Sequence, residues 1–293
     1  MHLNPFCICC QINAHEKKIR QFQDPEKKLT YMKNVLRRFA DAKDTDCSPN
    51  IAIELDKYYS EFWGIPQKDY TEIKKDFNQL MMGLENELKE TIFSAPDPLE
   101  TALLYSRIAN YIDFSAMSHV DKDKMLSMIA EENKEPLDSV EYKNLRNDLE
   151  TAHNLVYLTD NCGEIVMDKI VIELLKEIYP ELSITAIVRG YPSINDATMD
   201  DAKMCGLTEV VPVIGNGSDV CGTWLYGINE ESRNLIENAD VILSKGQGNY
   251  ETLNGCGYNV YYLFLCKCQR FVDLFQAKLF QGMFLNDRRL LSD

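Results

Sequence analysis

Asp160, Asn161 and Asp196 are the residues of this chain best suited to hold a hard cation. They offer only oxygen donors and two negative charges, which suits Mg2+ or Mn2+ better than zinc. Asp160 and Asn161 open the run Asp160-Asn161-Cys162-Gly163-Glu164, and Asp196 closes Arg189-Gly190-Tyr191-Pro192-Ser193-Ile194-Asn195-Asp196. Two more polar clusters follow, Gly215-Asn216-Gly217-Ser218-Asp219 and Lys245-Gly246-Gln247-Gly248-Asn249-Tyr250-Glu251. A helix N-cap alone would explain Asp160 or Asn161. The recurrence of glycine, amide, carboxylate and cation therefore carries the reading, not any single cluster. None of the four histidines (His2, His15, His119, His153) lies in such a cluster, which weakens a histidine-based nucleophile or a zinc mechanism.

Each cluster directly follows a short apolar run rich in β-formers: 155–159, 184–188, 210–214 and 241–244, with a fifth run at 260–265. Helical spacing fills 165–178, roughly 197–205, and 230–237 between them. Strands alternating with helices predict a parallel sheet covered on both faces. In a doubly wound sheet the carboxyl ends of the strands share one edge and border the ligand crevice, where helix starts favour anions. The four clusters then meet at one crevice. Before residue 154 no strand-like period occurs. Helices are predicted over 25–43, through Leu29, Met32, Leu36 and Phe39, and from Tyr70 onward through Ile73, Phe77, Leu80, Leu84 and Leu88. Asp97-Pro98-Leu99-Glu100 reads as a helix start, and 125–129 and 142–149 as further helix. The expected organisation is a helical domain over 1–150 and an α/β metal-binding domain over 151–293.

The 293 residues carry a formal charge of −15, which argues against a nucleic-acid groove. An anionic substrate would need a local positive focus, such as a metal with nearby Lys or Arg. No apolar run approaches the roughly 20 residues of a membrane helix, and no export signal opens the chain, so a cytoplasmic protein is expected. Ten cysteines scattered without export signals are expected to be mostly reduced. Cys7-x-x-Cys10 lacks the second pair of a zinc site, and the plain alternative is reduced cysteines at a helix start. Gly215-x-Gly217 lacks the third glycine of a dinucleotide fingerprint, and no P-loop occurs.

Several of these stretches together resemble the damage-control phosphatase (ARMT-like) family. They are Asp160-Asn161-Cys162-Gly163-Glu164, the run Val188-Arg189-Gly190 to Asn195-Asp196-Ala197-Thr198, and Ala239-Asp240 leading to Ser244-Lys245 and on to Asn249-Tyr250-Glu251. The resemblance extends to Pro5-x-Cys7-x-x-Cys10, typical of the microbial branch, to Asp97-Pro98-Leu99, to Asn110-Tyr111-Ile112-Asp113-Phe114, and to Lys267-Cys268. It implies a Rossmann-like α/β/α sandwich with a helical region, one divalent metal at the sheet edge, and hydrolysis of small phosphorylated metabolites. On matching positions it implies Asp160, Asn161 and Asp196 as metal ligands and Lys245 as the phosphate-holding lysine. The metal would be Mg2+ or Mn2+, with Co2+ or Ni2+ as other choices. Two positions depart from the family pattern: Ala109 stands where a glycine usually precedes Asn110, and Phe275-Gln276-Ala277-Lys278-Leu279 replaces a glycine-containing turn.

Phosphate-ester hydrolysis needs charge neutralised on the phosphoryl oxygens and a positioned nucleophile. Lys245 and Arg189 would add fixed positive charge. A water activated at the cation is the favoured nucleophile, with direct attack by Asp160 the other reading. Glu164 either orients water or stabilises a helix start. Asn195, Asn249 and Glu251 are expected to line the crevice, and Asn110 and Asp113 to reach it from the helical domain. Two other classes stay open: carboxyl methyl transfer, proposed for a relative of the family, and a non-catalytic metal- or metabolite-binding protein.

Overall fold

The computed structural model describes residues 3–109 and 136–290. The chain divides into two compact units, 1–69 and 70–293. The first is helical: α1 (Pro5–Ile19), α2 (Pro25–Ala40) and α3 (Ser48–Trp63). Asn4 and Asp24 cap α1 and α2, each with proline at the helix start, where a missing N–H costs nothing. Ile19, Tyr31, Val35, Phe39, Ile51 and Leu55 form its core. Cys7 and Cys10 lie in the first turns of α1, Cys7 buried and Cys10 exposed, and no disulfide joins the described cysteines.

The second unit opens with α4 (Thr71–Phe93), α5 (Pro98–Ala109) and α6 (Ser139–Thr151). Then strands and helices alternate: β1 (Asn154–Leu158), α7 (Glu164–Ile178), β2 (Ser183–Val188), α8 (Met199–Met204), β3 (Val213–Gly215), α9 (Glu230–Glu237) and β4 (Val241–Lys245). The chain continues through α10 (Gly246–Leu253), β5 (Val260–Leu265), α11 (Gln269–Phe275) and β6 (Gly282–Asn286). The six strands lie in the order β3-β2-β1-β4-β5-β6. All neighbours are parallel except β5 and β6. All six strands follow residue 153, as the sequence predicts.

Both faces of this sheet are buried. Leu155, Tyr157, Ala186, Leu243 and Leu263 face one core, shared with Met81 and Leu84 of α4, Leu103 of α5 and Ile170 of α7. Val156, Leu158, Ile187, Ile242 and Phe264 face the other, shared with Ile236 of α9, Tyr250 of α10 and Phe271 of α11. The period-2 alternation of each strand thus feeds two helical layers, and the α/β/α sandwich results.

The expected boundary at residue 150 is not where the chain divides. The apolar stripes of α4 and α5 are what cover one face of the sheet, so they belong to the sheet's unit, and the division falls between Asp69 and Tyr70. The third strand is also shorter than expected. Residues 207–209 form a 3-10 turn and pairing starts only at Val213, because Pro212 lacks the N–H a ladder needs. The segment expected to be helical at 125–129 lies outside the described residues. No helix among the described residues is long and apolar enough to cross a membrane.

Candidate active site

The strand order reverses between β1 and β4, since the chain moves outward to β2 and β3 and then returns to the other side of β1. The carboxyl ends of β1 and β4 therefore flank the crevice expected at such a switch point. Asp160 follows β1, and Lys245 ends β4.

Backbone bonds zip the turn after β1 to the turn after β2. Ala197 N donates to Asp160 O at 2.7 Å and Cys162 N to Asn195 O at 2.8 Å, while Asn161 and Asp196 form an isolated antiparallel bridge. This short ladder is what brings Asp160 and Asn161 to Asp196. Helix α4 holds it from outside: Lys74 Nζ donates to Asp196 O at 2.9 Å, and Asn78 Oδ1 accepts from Gly163 N at 2.6 Å. Gly163 has a φ of +70°, and a Cβ there would stand 2.1 Å from the Phe77 ring, so only glycine lets α4 approach this turn.

The side chains form one buried polar cluster. Asn161 Nδ2 donates to Asp160 Oδ2 at 2.7 Å and to Glu164 Oε2 at 3.0 Å, which leaves its amide oxygen outside these bonds. Arg189 Nε donates to Asp196 Oδ2 at 2.5 Å, and its Nη2 lies 3.5 Å from Asp160 Oδ1. Lys245 Nζ donates to Glu164 Oε1 at 2.6 Å, to Ser106 Oγ at 2.5 Å and to Asp168 Oδ1 at 3.0 Å. Tyr157 Oη and Ser106 Oγ donate to the same Asp168 oxygen, at 2.7 and 2.9 Å.

Charge in this cluster is unbalanced. Asp160, Glu164, Asp168 and Asp196 face Arg189 and Lys245, a formal excess of two negative charges. Burial, with Asp196 and Glu164 nearby, pushes the Asp160 carboxyl from 3.8 up to about 7. Burial likewise raises Asp168 to about 6, against the pull of Lys245. Burial opposes the charge on Lys245, yet Asp168 and Glu164 outweigh it and raise its pKa above the usual 10.5.

Among the described residues, no group of three or more His, Cys, Asp or Glu side chains is arranged to hold a metal ion. The set proposed from sequence contains two carboxylates and one amide, so it is not a group of that kind. Its chemistry fits a hard divalent cation on two counts: oxygen donors only, and an excess of buried negative charge that such a cation would cancel.

The other expected residues separate. Glu164 is fully buried and bonds both Asn161 and Lys245, so its geometry is that of a brace between them. Arg189 faces the two carboxylates. Asn195 contributes its carbonyl to the ladder and keeps a partly exposed side chain. Asn249 does not line an open surface: it is buried, its Nδ2 donates to Thr159 O and Lys245 O, and its Oδ1 accepts from Thr223 Oγ1. Glu251 is engaged by Gln247 at 2.8 Å and Arg270 at 3.8 Å on α10 and beyond. Asn110 and Asp113 lie outside the described residues.

Lys74, Asn78, Ser106 and Asp168 escaped the sequence reading because each lies on a helix, where its period looks like ordinary surface or core. Lys267 also escaped a functional role, although a basic residue just past the end of β5 was a usable signal. Its positive charge bears on Asp160 and favours the ionised carboxylate. Lys267 forms no ion pair among the described residues, and its backbone N–H donates to Gln247 Oε1 at 2.9 Å.

Gly246 makes the site sensitive at one backbone position. It has a φ of +80°, and a Cβ there would stand 2.0 Å from Asp160 Oδ2. Gly246→Ala is expected to cost about 1–3 kcal/mol of stability and to displace the Asp160 carboxylate. A thermal melt and a structure of the variant check this; an unchanged melting temperature with Asp160 in place would contradict it.

A family model described as the damage-control phosphatase ARMT1-like domain matches residues 3–281. A damage-control phosphatase of Archaeoglobus fulgidus is 27% identical over 279 residues, covering 92% of this chain and 93% of its own. One of Pyrococcus horikoshii is 36% identical over 171 residues, 58% of each chain. The crystal structure of a DUF89 family protein from Pyrococcus horikoshii matches with a TM-score of 0.78 at 26% identity, covering 98% of this chain and 99% of that one.

Proposed function

The chain belongs to the damage-control phosphatase ARMT1-like family, and from that premise we propose that it hydrolyses small phosphorylated metabolites using a divalent cation held by Asp160, Asn161 and Asp196. The relatives' names support a phosphatase acting on damaged metabolites. The observation that carries the metal-dependent reading is the zipping of two turns, which sets two carboxylates and an amide together at the switch point above a buried lysine.

A divalent cation there would supply Lewis acidity to the phosphoryl oxygens. The chain's own residues do the rest. Asp160 and Asp196 converge as oxygen donors, and Asn161 adds a donor without a third negative charge. Glu164 holds Asn161 with one carboxylate oxygen and Lys245 with the other, so it keeps both in register. All three N–H donors of the Lys245 ammonium have partners in Glu164, Ser106 and Asp168. Its charge therefore acts from beneath the crevice, and it reaches a phosphate only by exchanging one of those bonds. Lys267 adds positive charge near Asp160 and forms no ion pair among the described residues, which suits it to hold a phosphoryl oxygen.

The methyl-transfer alternative gains no support from the glycines after β2 and β3: a Cβ on Gly190 would stand 2.3 Å from Gly217 N, so close backbone packing accounts for this pair.

Phosphate release from p-nitrophenyl phosphate, with Mg2+, Mn2+, Co2+ and Ni2+ compared, tests the proposal. Release should require added cation, stop with EDTA and return when the cation is restored. Release that persists in EDTA, or none with any cation, would count against it.

A further inference from the structure

Resting on the reading of Asp160 and Asp196 as cation ligands, we propose that Arg189 is a built-in counter-ion that competes with the divalent cation for those two carboxylates. One guanidinium spans the pair, with Nε 2.5 Å from Asp196 Oδ2 and Nη2 3.5 Å from Asp160 Oδ1. A guanidinium does not lose its proton in a protein, so this charge cannot be switched off.

The placement of Arg189 is built into the backbone. It directly follows β2, its N–H donates to Ala197 O at 2.9 Å, and it bridges in parallel to Thr198. Arg189 therefore belongs to the same short ladder that carries Asp196, which fixes its main chain beside that carboxylate's turn. The residue is only 1% exposed, which suits it poorly to meet a phosphate arriving from solvent. Its Nη1 is buried with no hydrogen-bond partner among the described residues, so the side chain is committed to the carboxylates at the cost of one donor.

Two carboxylates on neighbouring turns repel unless positive charge lies between them. Arg189 supplies that charge from within the chain, and a divalent cation supplies it from solution. Each therefore weakens the other's hold on the pair. Two consequences follow: the chain stays folded without the cation, and its cation affinity is lower than the oxygen donors alone would give.

Mn2+ titration of the parent chain, Arg189→Met, Arg189→Lys and Asp160→Asn, with thermal melts in EDTA and in Mn2+, tests this. Arg189→Met should bind Mn2+ at least about fivefold more tightly. Mn2+ should also raise its melting temperature by more than it raises the parent's. Arg189→Lys, with a shorter point charge, should fall between. If Arg189→Met folds only in Mn2+, that supports the proposal, and Arg189→Lys still reports the affinity. If neither variant binds Mn2+ more tightly than the parent while Asp160→Asn binds it weakly, the counter-ion role is wrong and the ligand reading stands. If Asp160→Asn binds Mn2+ like the parent, or the parent binds none, the ligand reading itself is wrong and the proposal falls with it.

Discussion

Asp160→Asn is expected to lower Mn2+ affinity at least about tenfold and phosphate release about 100-fold or more, while the fold survives. The amide keeps the size of the carboxylate but offers one oxygen where Asp160 has two. Asn161 Nδ2 uses one of those oxygens at 2.7 Å, and Arg189 approaches the other at 3.5 Å, so one of them loses its acceptor. Stability should not fall with activity. The Asp160 pKa is raised from 3.8 to about 7 on folding, so ionising this group makes the chain lose stability as pH rises between those values. A neutral amide escapes that loss. Calorimetric titration with Mn2+, a thermal melt at neutral pH and a phosphate-release assay on the same preparation check all three statements. A variant that binds Mn2+ as tightly as the parent and still turns over would show that the catalytic site lies elsewhere.

Lys245→Met should have the larger effect on stability. The substitution keeps the aliphatic stem and removes the charge that Glu164 and Asp168 share at 2.6 and 3.0 Å. Lys245, Glu164 and Asp168 are all buried, so two carboxylates would be left without their counter-ion. Breaking such a buried pair from one side costs about 3 kcal/mol or more, roughly 6–12 °C in melting temperature. Phosphate release should fall as well, because positive charge beneath the crevice is lost and Glu164 is freed to move from Asn161. Asp168→Asn, Lys245→Met separates the two effects. Removing one stranded carboxylate should recover part of the stability, and little of the activity. A melting temperature for Lys245→Met equal to the parent's would mean that this network does not carry the structural role assigned to it.

Much of this protein was legible from its sequence because the signals are local. The apolar, β-rich runs at 155–159, 184–188, 241–244 and 260–265 all became strands of one sheet, since β-formers bounded by turn residues need no distant partner to be recognised. A polar cluster directly after a parallel strand has its place dictated by topology, so the meeting of Asp160 with Asp196 could be anticipated from strand ends alone. Local signals failed where pairing or packing decides. The β6 strand and helices α10 and α11 were not foreseen: α10 opens on Gly246 and Gly248, poor helix formers, and β6 is defined by its antiparallel register with β5.

Only the tertiary structure decided the division of the chain and the partners of each charged residue. An amphipathic helix shows that it buries a stripe, but not against what, and so α4 and α5 read as a separate helical domain until their stripes were found on the sheet. Composition likewise announces that Lys245, Arg189 and Asn249 are polar, but not which acceptors lie within 3 Å of them. Lys245 went to Glu164, Ser106 and Asp168, residues 81, 139 and 77 positions away, and Asn249 to the Thr159 carbonyl 90 positions away. A buried charge must find its counter-charge wherever the fold places one, and that distance in sequence carries no periodicity to read.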